Sequence, residues 1–233
     1  MSVRPIIFSA PMVKALLAGR KTQTRRVLNA KPGMTTADCI VDRGMHPSGI
    51  GTIHELPVDK LAVRFAVGDV LYVREAHYLT DDGDNEYAVY TADGNEVVGE
   101  HLEEIATLER RYPQANWSKH KKLRPSIHMP RWASRLTLAV TDVRVERLQD
   151  ISEADAQAEG ICRMDDGTWS WSEDTKVVGW HTPRGAFDAL WTSINGPAAW
   201  AENPWIVALT FNVHRQNVDQ YLAALASEAR GVG

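Results

Sequence analysis

Cysteine is scarce in this chain. Cys39 and Cys162 are the only two in 233 residues, too few for a disulfide framework and not spaced as a CxxC metal pair. Reduced thiols buried as small hydrophobes are expected, which fits a cytoplasmic setting. No apolar run approaches the roughly 18 residues of a membrane span, and no membrane association is expected. The opening Met-Ser-Val-Arg-Pro-Ile-Ile-Phe-Ser lacks the long apolar centre and small-residue cleavage site of a signal peptide. His120, His128 and His181 have no ligand spacing, so neither a metal nor a cofactor is expected. Internal repeats and low-complexity tracts are absent. Acid is missing from one interval: between Arg110 and Thr141 there is no Asp or Glu, although the net charge of the whole chain is -4.

That interval holds Lys119, Lys121, Lys122, Arg124, Arg131 and Arg135. A local basic stretch in an acidic protein suggests a patch for an anion such as a nucleic-acid backbone; the plain alternative is a solvated charged loop. With 44% hydrophobic and 24% charged residues, the chain has the composition of a folded protein with a core.

Residues 5–8 read as a short buried strand. Ser9, Pro11 and Gly19 punctuate a helix whose apolar stripe is Val13, Leu16 and Leu17. From Arg20 the chain reads as extended and basic, and 29–66 as loop. Gly68-Asp69 turns into a strand at Val70–Val73. Residues 80–99 suggest a hairpin around Tyr87–Tyr90, 101–111 a short charged helix, and 112–130 an irregular stretch. Leu136–Val145 alternates as a long strand, and a helix follows from Ser152 to Glu159, ended by Gly160. Residues 162–183 look inserted, with Trp169, Trp171 and Trp180 as candidates for a stacking lid. Phe187, Leu190, Trp191 and Ile194 sit at helical spacing. Trp191, Trp200 and Trp205 read as core. Trp205–Val213 is a closing strand and 216–230 an Ala-rich helix. Strands in the core with helices between them make an α+β fold, a small barrel with flanking helices, in a single domain over 1–233.

The segment Gly19-Arg20-Lys21-Thr22-Gln23-Thr24-Arg25 sets a lysine three positions from a threonine where a helix stops. A hydroxyl nucleophile needs a base, and lysine serves if its pKa falls by roughly 3 from its reference of about 10.4, equivalent to about 4 kcal/mol. Arg20, Arg25 and Arg26 would push it in that direction. In a regular strand Lys21 and Thr24 point to opposite faces, so the pairing requires a break between them. The plain alternatives are a lysine at a helix end and an ordinary strand threonine.

Four blocks resemble the ASCH family, relatives of PUA-like RNA-binding barrels: Leu17 to Arg26, Val67 to Val73, Leu136 to Ile161, and Pro204 to Phe211. They cover about half of the chain. The block Arg124 to Arg135 is similar to the long ASCH proteins of bacteriophages, which implies a bacterial or phage-infected cytoplasm. The resemblance implies a PUA-like/ASCH barrel with insertions near 29–66, 80–130 and 162–183.

A smaller bacterial member of that family removes the acetyl group from N4-acetylcytidine, and its catalytic lysine, threonine and glutamate fall on Lys21, Thr24 and Glu159. The resemblance therefore implies an amidohydrolase: Thr24 as nucleophile, Lys21 as base, and Glu159 either orienting the lysine or protonating the departing amine. Arg20, Arg25, Arg26, Tyr72, Arg74, Glu75 and Trp132 are the expected substrate contacts, with Tyr72 or Trp132 stacking on cytosine. The segment Arg74-Glu75-x-His77 reads as cleft-lining or as a surface ion pair. Two rivals share the cleft: an RNA-binding module without catalysis, and a metal-independent ribonuclease.

Overall fold

Helix punctuation and period-two alternation account for most of the elements. In the computed structural model the residues described are 1–28, 63–81, 86–93, 95–98, 101–104, 123–172 and 179–231. Lys119, Lys121, Lys122 and Cys39, and nearly all of the expected 29–66 loop, lie outside them. The chain divides into two compact units, one of Met1–Thr22, Gly68–Val140 and Phe211–Gly233, the other of Gln23–Val67 and Thr141–Thr210.

In the first unit, β1 (Val3–Ile7) leads into α1 (Ala10–Leu17). Pro11 sits in the first turn, where its missing N–H costs nothing. Ser9 holds the cap position, but its side chain makes no capping bond. β3 (Val70–Arg74) runs parallel to β1, with Val3 opposite Val70 and Ile7 opposite Arg74. It runs antiparallel to the start of β8 (Thr137–Arg147), with Tyr72 opposite Thr137. Leu71, Val73, Leu136 and Leu138 are buried with Phe8, Val13 and Leu16.

The expected hairpin is one part of a four-stranded antiparallel sheet, β4 (His77–Asp81), β5 (Glu86–Tyr90), β6 (Asn95–Val98) and β7 (His101–Glu104). The charged helix expected over 101–111 is thus corrected: its first four residues pair as a strand with β6, backbone ladder bonds outweighing a helix propensity that rests on charged residues alone. α4 (Val218–Gly231) ends the chain, and Asn217 beside it donates to the carbonyls of Arg131, Trp132 and Ser134 at 3.0, 3.0 and 2.8 Å.

In the second unit, β2 (Gln23–Val27) pairs antiparallel with β11 (Trp205–His214), Thr24 opposite Leu209. α2 (Glu153–Ala158) and α3 (Pro183–Asn195) pack around Leu148, Ile151, Ile161, Phe187, Trp191 and Ile206. The inserted stretch contributes β9 (Cys162–Arg163) and β10 (Trp169–Ser170). Trp169, Trp171 and Trp180 are half-buried against this core, with the rings of Trp171 and Trp180 4.8 Å apart.

The main sheet has the order β1-β3-β8-β11-β2 and is mixed, so the fold is α+β as expected. The order is linear, and among the described residues no pairing closes it into a barrel. Among them, too, no helix is long and apolar enough to cross a membrane.

Candidate functional site

Lys21 is delivered by the way α1 ends. Gly19 takes φ +72°, a left-handed conformation that glycine adopts without steric cost. Its N–H donates to Leu16 O at 3.0 Å and that of Arg20 to Ala15 O at 2.9 Å, the double bond pattern of a Schellman turn. The N–H of Lys21 also reaches Ala15 O, at 3.1 Å, so the chain folds back over the helix end. Lys21 is consequently 1% exposed, with Nζ 5.6 Å from the centre of the Phe8 ring. β2 does not begin until Gln23, and the exposed Thr22 between belongs to no strand. The unbroken strand that would set Lys21 and Thr24 on opposite faces by alternation is therefore absent.

Thr24 is fully buried in β2. Arg26 lies two residues on, hence on the same face, and its Nη1 donates to Thr24 Oγ1 at 2.8 Å and to Arg25 O at 3.0 Å. Burial holds the Arg26 guanidinium below its ordinary pKa, while the charge of Glu159 works the other way.

Glu159 is the C-cap of α2, and it is placed by the same kind of turn as Lys21. Gly160, at φ +105°, donates to Gln157 O at 2.8 Å, and Ile161 donates to Ala156 O at 3.4 Å. At the other end Ser152 Oγ accepts from the N–H of Asp155 at 3.0 Å, the expected cap. A buried carboxylate at a helix C-terminus is disfavoured by the helix dipole and needs a cation. Arg25 supplies one, its Nη1 3.2 Å from Glu159 Oε1.

Arg25 was expected to touch substrate. It is instead buried among three carboxylates, with Nη2 2.8 Å from Glu146 Oε1 and 3.6 Å from Asp155 Oδ2, besides Glu159. Its guanidinium also lies 5.9 Å from the centre of the Phe187 ring. Burial works to raise the Asp155 pKa, but hydrogen bonds from Gln23 and Ser152 and the charges of Arg144 and Arg25 outweigh it and hold the carboxyl below its usual range. Neither Glu146 nor Asp155 is among the site residues expected from sequence. Both lie in the Leu136–Ile161 block, where Glu146 on a strand and Asp155 on a helix have no local spacing that pairs them with position 25.

The remaining expected contacts lie in the first unit. Arg20 is half-buried. Glu75 is buried and takes Arg135 bidentately, at 2.8 and 2.9 Å. Arg135, expected on a basic surface, is corrected to an interior residue: it also binds Asp93 at 2.8 Å and stacks 3.9 Å from the Tyr90 ring centre. Burial raises the Glu75 pKa against the pull of Arg135. Tyr72 is half-buried, its ring flanked by the guanidiniums of Arg74 and Arg131 at 5.9 and 5.8 Å. Arg131 pairs with Asp219. Arg124 and Trp132 are exposed. Among the described residues, no group of three or more His, Cys, Asp or Glu could hold a metal ion. A scan against protein-family models and searches of curated proteins and of solved structures each return no match.

Proposed function

We propose that this chain is an ASCH-type amidohydrolase of the PUA-like barrel class, acting in a cytoplasm on the acylated exocyclic amine of a cytosine nucleoside or nucleotide. The observation that carries the reading is the pair of helix-end turns. One brings an amine, Lys21, and the other a carboxylate, Glu159, out of water, while Thr24 is buried just past a break in the strand. Burial disfavours an ammonium, which is the direction that a base at position 21 requires.

In this mechanism Thr24 Oγ1 attacks the acetyl carbonyl and passes its proton to Lys21. The tetrahedral intermediate collapses, the C–N bond breaks, and the cytosine amine leaves with that proton. Water then attacks the acetyl-threonine ester, Lys21 takes the water's proton, and acetate departs as the hydroxyl of Thr24 is restored. The Arg25–Glu159 ion pair favours an orienting role for Glu159 over that of acid.

The test is turnover of N4-acetylcytidine, with release of acetate and cytidine. Thr24→Ala and Lys21→Ala should each lower kcat by at least about a hundredfold with little change in KM. No turnover by the wild-type protein, together with salt-sensitive RNA binding retained in Thr24→Ala, would sink the reading and favour a binding module.

A further inference from the structure

The last carbonyls of a helix have no partner inside it and must find one elsewhere. At the end of α1 they can be followed one by one. Lys14 O accepts from the N–H of Ala18 at 2.9 Å and Leu16 O from that of Gly19 at 3.0 Å. Ala15 O accepts from both Arg20 and Lys21, at 2.9 and 3.1 Å. Leu17 O is then left without a backbone donor among the described residues, and it is Arg215 Nη2 that donates to it.

Arg215 follows directly on β11 and is exposed. Among the described residues its guanidinium meets no carboxylate, and the bond to Leu17 is the one hydrogen bond of its side chain. A cation at a helix C-terminus is favoured by the helix dipole, and a basic side chain there can take a terminal carbonyl. The far side of the same turn is held by the same stretch of chain: the N–H of Phe211 donates to Thr22 O at 3.0 Å. Residues 18–21, which include the buried Lys21, thus lie between two anchors supplied by positions 211 and 215. The anchor at 211 is a backbone bond that any residue but proline could make. The anchor at 215 depends on its side chain, and it comes from 198 positions away in the chain.

We propose that Arg215 is a positioning residue for Lys21: by holding Leu17 O it fixes the turn through Gly19 and Arg20, and with it the place of the amine. It acts through the turn and not on the substrate. Without the guanidinium, Leu17 O must turn to water, and the bonds from Arg20 and Lys21 to Ala15 O open more often, as helix ends do when their caps are lost. A base displaced by about an ångström costs rate without costing affinity, because its proton is taken only in the transition state. The catalytic consequence rests on the hydrolase reading of Lys21; the hold of Arg215 on the turn does not.

The experiment compares Arg215→Ala and Arg215→Lys with the wild-type full chain, by N4-acetylcytidine kinetics, amide hydrogen exchange and thermal melting. Arg215→Ala should lower kcat about tenfold with KM unchanged. The amides of Arg20 and Lys21 should exchange about tenfold faster, while those of Val70 and Val73, bonded to Ser2 O and Leu136 O, keep their protection. The melting temperature should stay within about 4 °C of wild type, as the loss of one exposed bond allows. Arg215→Lys keeps a cation that can reach the carbonyl and should recover most of kcat and of the protection at Arg20 and Lys21. Wild-type exchange at those two amides in Arg215→Ala overturns the proposal. So does faster exchange that extends equally to Val70 and Val73, which marks a general loss of stability, and so does faster exchange at the turn with kcat unchanged. If the wild-type protein does not deacetylate N4-acetylcytidine, the hydrolase reading alone fails, and the exchange of Arg20 and Lys21 still decides whether Arg215 holds the turn.

Discussion

Arg131 and Arg135 lie four positions apart in one basic stretch and meet opposite fates. Arg135 is buried with Glu75 and Asp93 and stacked on Tyr90. Arg131 pairs with Asp219 where both side chains are about half-exposed, 41% and 61%. A buried ion pair broken on one side leaves an uncompensated charge, at a cost of about 3–5 kcal/mol, whereas an exposed pair contributes about 0–1 kcal/mol. Arg135→Ala should therefore lower the urea midpoint sharply and Arg131→Ala hardly at all. Equal effects would mean that the Glu75–Arg135 pair is not buried in solution. The sequence shows both arginines as members of a basic interval, and nothing local in it tells them apart. What separates them is the arrival of Glu75 from just past the end of β3 and Asp219 from α4, contacts 60 and 88 residues away in the chain. The same holds for Arg25, whose three carboxylates come from β8 and α2.

Elements were legible where a local rule fixes both ends. α1 is bounded by Ser9, Pro11 and Gly19, and α2 by Ser152 and Gly160, and both lie where those residues put them. β8 and β11 are long enough for alternation to be read. β6 and β7 have four residues each, too few to show a period, and β7 carries charged residues that read equally well as helix. The glycines that end α1 and α2 also position Lys21 and Glu159, which makes Gly19 a sharp test. Nothing lies within 4 Å of a Cβ added there, so the cost of Gly19→Ala is purely conformational. At φ +72° that is about 1–2 kcal/mol for alanine, and less for asparagine, which tolerates the left-handed region. Gly19→Asn should retain more of both stability and N4-acetylcytidine turnover than Gly19→Ala. An alanine variant with wild-type stability and activity would show that the turn does not set the position of Lys21.

At the scale of the whole molecule, the buried titratable groups give stability a pH dependence with a definite sign. His77 has its pKa lowered in the fold by burial and by its cationic neighbours, from an ordinary value of 6.5. Its contribution is complete above the unfolded value and is lost as pH falls toward the folded one, because the unfolded chain takes up a proton that the folded ring refuses. The groups that face it are Arg74, Arg124 and His128 on the positive side, with Glu75 held by Arg135. Asp155 is likewise lowered, from 3.8, so its contribution is present above that value and lost in stronger acid. Glu75 is raised above 4.5 and runs the other way: its protonated form is favoured in the fold, so stability from this group is present below the unfolded value and lost as pH rises through the folded one. These windows separate the groups in one experiment. Urea midpoints measured from pH 8 to pH 3 should begin to fall once the pH drops below 6.5, at a pH where no ordinary carboxylate titrates. His77→Asn should start lower at pH 7, having lost packing in a fully buried site, but should be flat across the upper part of that window. Asp155→Asn should lower the midpoint by a constant amount above pH 3.8, and its difference from the wild-type curve should shrink below that pH. If His77→Asn kept the wild-type slope between pH 6.5 and 5, another histidine would carry the proton uptake, and the buried ring at position 77 would not be the group that refuses the proton in the fold.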